Sequence, residues 1–220
     1  MNTSACFIGF TRIWSAVLFL LLGSISSTSA QVLFSNLITG SNPNADSPYT
    51  LGQIVDPSLS VGGIDRGSGI TSSNANDRYS ATSWNTPALD ASAYFTWTLA
   101  PNSGYTVDFV NFSYVGQASG TGPTLFSFRT SLDGFTSAWG LPLATGGTIN
   151  LTDDFFQDIS GPIEFRLYGW NASSAAGTFS VNEFAFSGTT HVTSAIPEAS
   201  TFAAAAGLAA LSFAAARRRR

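Results

Sequence analysis

Apolar residues between 31 and 190 recur at every second position in short runs, and the runs are separated by Gly, Asn, Ser and Pro. That is the spacing of strands buried on one face. Residues 32–38 form the first such run. Residues 93–99 place Phe95, Trp97 and Leu99 on one face and Tyr94, Thr96 and Thr98 on the other. Pro101-Asn102-Ser103-Gly104 turns the chain. Residues 105–115 read as a long strand whose apolar parity slips from Tyr105, Val107 and Phe109 to Val110, Phe112 and Tyr114, which predicts a bulge. Residues 124–131 point Phe126 and Phe128 inward and Arg129 outward, and Asp133-Gly134 marks a turn. Residues 163–168 set Ile163, Phe165 and Leu167 against Glu164, Arg166 and Tyr168. Residues 178–187 change parity between Val181 and Phe184, so a second bulge is expected near Asn182-Glu183. Residues 39–60 read as loop with one short strand at 53–55, and residues 62–77 as the most loop-like stretch of all. Residues 153–158 suit one helical turn capped by Thr152 or Asp153. Short strands, frequent turns and no long amphipathic helix predict an all-β, antiparallel β-sandwich, with a jelly-roll as the preferred arrangement.

Two segments break this pattern. Residues 1–30 carry Arg12, an apolar run of about ten residues, Gly23 and a small-residue end at Thr28-Ser29-Ala30. This is the plan of a secretory signal peptide cut between Ala30 and Gln31, and the run is shorter than the roughly 20 residues a membrane span needs. At the other end stand Ile196-Pro197-Glu198-Ala199-Ser200-Thr201, an uncharged stretch at 202–216 with nine alanines, and Arg217, Arg218, Arg219 and Arg220. As a helix that stretch is about 22 Å long. It is a short transmembrane helix against a bilayer core of about 30 Å. The arginines extend it by snorkelling and hold the terminus on the cytoplasmic side. Pro197 disfavours helix in the residue before it, and Ser200 or Thr201 suits the N-cap. The expected organisation is signal peptide 1–30, sandwich domain 31–190, linker 191–195 and sorting segment 196–220.

Composition narrows the function. Charged residues are 10% of the chain, there is no lysine, and four of the nine arginines are the terminal run. Between residues 31 and 195 stand four arginines and twelve acids, a formal charge of 4 − 12 = −8. Such a domain lacks the clustered positive charge that nucleic acid requires. Aromatic residues at 13% argue against disorder. The single cysteine, Cys6, lies in the segment expected to be removed, which excludes disulfides, thiolate metal sites and cysteine nucleophiles from the mature chain.

Pro197-Glu198 with Ser200-Thr201, an Ala/Leu helix and a terminal arginine cluster together resemble the PEP-CTERM sorting signal of Gram-negative bacteria. The family usually carries a second proline where this chain has Ala199. The resemblance implies recognition by an exosortase, a membrane transpeptidase-like enzyme, with processing near Pro197-Glu198. It also implies export through the Sec translocon, cleavage by signal peptidase, a transient stay in the inner membrane and a host that secretes polysaccharide. Residues 89–97, 127–135 and 163–170 look like the jelly-roll domains common in such proteins, most of which have no assigned activity.

Candidate chemistry is sparse. His191, the only histidine, falls in the expected linker, away from the packed scaffold a catalytic triad needs. No phosphate-binding or nucleotide fingerprint occurs, and no cofactor or metal is expected. Asp153, Asp154, Asp158, Glu164 and Glu183 are candidates for a pair of glycosidase carboxylates, a role that depends on their separation in space. Trp97 has core parity. Trp84, Trp139 and Trp170 sit beside turns and are the candidates for an exposed sugar-stacking platform. Arg129 and Arg166 face outward and are expected to pair with acids. The expected function is an exported, exosortase-sorted surface or matrix protein without enzymatic activity, structural or adhesive in association with extracellular polysaccharide. The alternative is a secreted carbohydrate-active enzyme using paired carboxylates.

Overall fold

The structure, a computed structural model, describes residues 30–193. The segment before Ala30 expected to be a signal peptide, the motif at 197–201, the helix expected at 202–216 and the terminal arginines lie outside the described residues. Eleven strands are present among those described: β1 (Gln31–Leu37), β2 (Ile54–Val55), β3 (Leu59–Arg66), β4 (Thr71–Ser72), β5 (Tyr79–Thr82), β6 (Tyr94–Pro101), β7 (Tyr105–Ala118), β8 (Leu125–Thr130), β9 (Gly146–Asn150), β10 (Ile163–Trp170) and β11 (Phe179–Val192). Two 3-10 turns, Ser131–Asp133 and Asp154–Phe156, complete the regular structure.

The strands form two antiparallel sheets. The smaller has the order β3-β6-β10-β8. The larger is built on β11, which pairs with β7 along one side and with β1 and β5, end to end, along the other. The strands β2, β4 and β9 extend it outward from β1, β5 and β7. Apart from the short β2 and β4, successive strands alternate between the sheets, so nearly every connection crosses the sandwich.

The inner faces interdigitate through aromatic rings. Trp97 of the smaller sheet lies 4.9 Å from Phe112 of the larger, Phe165 lies 4.8 Å from Phe186, and Phe128 lies 4.8 Å from Phe112. All five are fully buried. Edge-on and offset contacts of this kind add about 0.5–1.5 kcal/mol per pair beyond the burial of area. The all-β sandwich expected from the alternating pattern is what the chain forms.

Both parity slips are bulges. Val110 is the extra residue where Ser187 pairs with Asn111 and Gly188 with Phe109. Asn182 is extra where Val181 pairs with Gly116 and Glu183 with Val115. The turn at 153–158 is a short 3-10 helix, capped by Asp153, whose side chain accepts from the Phe155 amide.

Two expectations need correction. Residues 62–77 are not one loop, because β3 and β4 run through them. The strand tolerates Gly62-Gly63 by bulging there, between the Val61–Leu99 and Ile64–Trp97 pairs. Gly63 has φ +82°, and a Cβ on it would lie 2.5 Å from the Tyr49 carbonyl oxygen. The boundary expected at Thr190 is also too early. β11 continues through His191 and Val192, which pair with Thr106 and Tyr105.

Candidate functional site

The two outer faces of the sandwich carry different chemistry. On the smaller sheet, β10 presents Glu164, Arg166, Tyr168 and Trp170. Tyr94 and Thr96 of β6 pair with Tyr168 and Arg166, and Ser127 and Arg129 of β8 do the same from the other side. Arg166 is the centre of this face. Its guanidinium carbon lies 4.1 Å from the Tyr94 ring centre and 3.7 Å from that of Phe135. Its Nε donates to Glu164 Oε1 at 2.6 Å, and Nη1 donates to the Tyr168 hydroxyl at 3.3 Å. The same Glu164 oxygen accepts from Thr96 Oγ1 at 2.9 Å. Burial acts to lower the Arg166 pKa, but the bonds to Glu164 and Tyr168 outweigh it and leave the pKa raised.

The turn that places Phe135 over Arg166 is itself held from two sides. Gly134 and Phe135 both take left-handed backbone, at φ 68° and 63°. Arg129 Nη1 donates to the carbonyls of Phe135 and Thr136. The Asp133 carboxylate accepts from the amides of Thr136 and Ser137 and from the Thr136 hydroxyl. Burial alone would raise the Asp133 pKa, but these hydrogen bonds prevail and hold it down at about 2. Arg129 and Arg166 therefore face outward as expected. Arg166 pairs with an acid, whereas Arg129 is met by carbonyls and Ser127 Oγ.

The larger sheet presents rows of small neutral side chains instead. Ser35, Ala185, Ser113 and Thr148 stand in one row across four strands, and Ser187, Asn111 and Asn150 in the next. A third row, Ser80, Ser180 and Gln117, crosses β5, β11 and β7. Here the segment 73–78 folds over the face and closes a groove of about 170 Å³, whose far wall is Ser119 and Thr178. Arg78 reaches into it. Its Nη1 donates to Gln117 Oε1 and its Nε to the Asn76 carbonyl. A second recess, of about 340 Å³, lies at Gly40, Ser41, Asn42, Asn76 and Asp77, and a third, of about 270 Å³, includes Tyr114 and Glu183.

The expected site residues do not gather. Trp84 is fully buried, donating Nε1–H to the Ala81 carbonyl at 2.9 Å and packing edge-on to Phe95 and Phe179. Its place beside a turn does not bring it to the surface, so it leaves the proposed platform. Trp139 is half-buried, with Phe155 stacked on it at 5.5 Å and Phe156 edge-on at 4.6 Å. Of the three tryptophans, Trp170 is the one on the Arg166 face, and it is half-buried.

The acids fall into separate places, with Asp153, Asp154 and Asp158 on one short segment and Glu164 and Glu183 on the two sheets. Asp153 caps its turn, and the Asp158 amide donates to Asp108 Oδ1. Glu164 is engaged by Arg166 on one outer face, and Glu183 is exposed on the other. Carboxylates on opposite faces of a sandwich cannot flank one glycosidic bond. No group of three or more His, Cys, Asp or Glu side chains is arranged to hold a metal ion among the described residues. His191 sits in β11 with Thr189 Oγ1 at 3.1 Å and Asp108 Oδ2 at 3.0 Å. Both contacts fall on Nε2. A catalytic triad needs the acid on one ring nitrogen and the nucleophile on the other, so this trio has the composition of a triad without its wiring.

No protein-family model, curated protein or solved structure matches this chain. The groove beside Arg78 has no counterpart in the sequence pattern. Its floor is assembled from residues 80, 117 and 180, which only strand register brings together.

Proposed function

We propose that this chain is an exported surface or extracellular-matrix protein, delivered by exosortase sorting and serving a structural or adhesive role on extracellular polysaccharide. The observation that carries the reading is the three-part tail of Pro197-Glu198-Ala199-Ser200-Thr201, an alanine-rich apolar stretch and Arg217 to Arg220. A marginal alanine helix suits a temporary anchor better than a permanent one. The folded domain is consistent with that plan. β1 starts at Gln31, the first residue that signal cleavage at Ala30 would leave, and β11 ends at Val192, five residues before Pro197. Strand orders β1-β11-β7-β9 and β6-β10-β8, with chain crossings between them, support a jelly-roll assignment in which β3 is an added edge strand. The hydroxyl- and amide-rich outer face of the larger sheet supports contact with sugar hydroxyls. Mass spectrometry of the native protein is the test. A mature C-terminus near Pro197-Glu198 is expected, and surface-located protein that retains Arg220 would overturn the sorting reading.

A further inference from the structure

We infer that the groove beside Arg78 is a binding subsite for one anionic sugar residue of an extracellular polysaccharide. The inference rests on the polysaccharide reading and gives it a ligand class. Three neighbouring strands supply the floor, Ser80, Ser180 and Gln117, and segment 73–78 supplies a wall. Ser80 and Ser180 are buried although strand parity turns them outward, and they line the groove with Ser73, Asn74 and Ala75. The lining consists of hydroxyl and amide groups, one alanine and Arg78, with neither a carboxylate nor an aromatic ring.

Those two absences decide the ligand. A neutral sugar gains from a ring to stack on and from carboxylate acceptors for its hydroxyls, and this lining offers it neither. An anionic sugar finds a guanidinium that no acid among the described residues pairs with. Nη2 of Arg78 has no hydrogen-bond partner among those residues. A carboxylate or sulfate ester would take that edge of the fork in charge-assisted bonds, while Ser73, Asn74 and Thr178 would meet neighbouring hydroxyls. The other arginines among the described residues each lie over an aromatic ring, as Arg78 does not. Arg66 stacks on Tyr79 and donates to three carbonyls, Arg129 holds the 135–136 carbonyls, and Arg166 pairs with Glu164. At about 170 Å³ the groove is smaller than a typical enclosed ligand pocket, which suits one residue of a longer chain. The formal charge of −8 across residues 31–195 opposes the approach of a polyanion at long range. Binding therefore depends on screening, and a salt concentration of about 0.15 M, with a Debye length of about 8 Å, is the condition to use.

The full-length protein in detergent is titrated calorimetrically with oligogalacturonate, its fully methyl-esterified form, a sulfated dextran oligosaccharide and plain dextran. We expect oligogalacturonate or the sulfated oligosaccharide to bind, the stronger of the two identifying the anionic group. Esterification should weaken uronate binding. Arg78→Gln should raise the Kd about tenfold or more, which corresponds to about 1.4 kcal/mol. Gln117→Glu, which gives Arg78 an internal counter-ion without emptying the site, should do the same while thermal unfolding stays unchanged. Arg129→Gln should leave the Kd within about twofold. Equal affinity for the charged and esterified forms, full binding by Arg78→Gln, or no binding by either anionic probe would overturn the subsite. Plain dextran binding that ignores Arg78 would overturn the anionic subsite and leave the polysaccharide reading standing.

Discussion

The outer faces of the two sheets share one core and one type of backbone pairing, yet they use their arginines in opposite ways. On the smaller sheet, Arg166 lies between two rings, bonded to Glu164 and Tyr168, under a loop that Asp133 and Arg129 hold in place. Its charge is met inside the protein by Glu164 and by the two rings. On the larger sheet, Arg78 stands in a groove of neutral groups, and no acid among the described residues pairs with it. A charged group paired by its own fold contributes to structure, whereas one left without a counter-ion at a recess is available to something else. The acid–arginine motif that looks more like chemistry is therefore the one that stabilises the fold.

Removing what both faces rest on has the largest effect. Phe165 packs within 6.4 Å of Phe109, Phe128, Phe156 and Phe186, and it belongs to the layer beneath both surfaces. Phe165→Ala should cost about 3–5 kcal/mol. Thermal unfolding would show this as a drop on the order of 10 °C. Gly63→Ala comes next, at about 1–3 kcal/mol, because a left-handed backbone and the Tyr49 carbonyl both reject a Cβ. Chemical denaturation should give that loss, and a neutral result would show that the bulge relaxes.

The comparison itself is tested by matched truncations. Arg166→Ala should destabilise by about 1–2 kcal/mol through lost stacking and a Glu164 left partly buried without its cation. Arg78→Ala should stay within about 0.5 kcal/mol. Equal costs would erase the distinction between the faces. The smallest effect concerns the loop over Arg166. Asp133 has a depressed folded pKa of about 2. Its contribution is thus fully present above the ordinary carboxylate value of about 3.9 and is lost as pH falls through about 2. Protection factors of the Thr136 and Ser137 amides, read by NMR and corrected for intrinsic exchange, should fall across that window in the wild type. In Asp133→Asn that protection should already be lost at neutral pH.

The sequence made some of this legible and left other parts hidden, for physical reasons. A strand covered on one face writes its register as alternation, so β6 and β10 and the bulges at Val110 and Asn182 are readable from parity alone. β3 and β9 are hard to read because each contains a glycine pair, and glycine carries no face. At Gly146, with φ +95°, a Cβ would lie 2.1 Å from the Tyr114 carbonyl oxygen, so close approach between strands takes the place of a side chain there. Trp84 misleads for another reason. Its neighbours are turn-forming, but tertiary packing carries the ring inward. The Arg78 groove is invisible in sequence because its parts lie far apart along the chain. The Pro197-Glu198 motif needs no fold to be read, and it lies outside the described residues.

The path of β11 has a mechanical consequence. The groove opens at Ser180, near the start of this strand, and the chain leaves it at Val192, about 40 Å further along at strand spacing. Tension between a polymer held in the groove and a tether beyond Val192 would pull along the strand, parallel to its axis. The ladder to β7 spans nearly all of β11, from Phe179 to Val192, so the load would be shared in shear across many hydrogen bonds at once instead of unzipping them in turn.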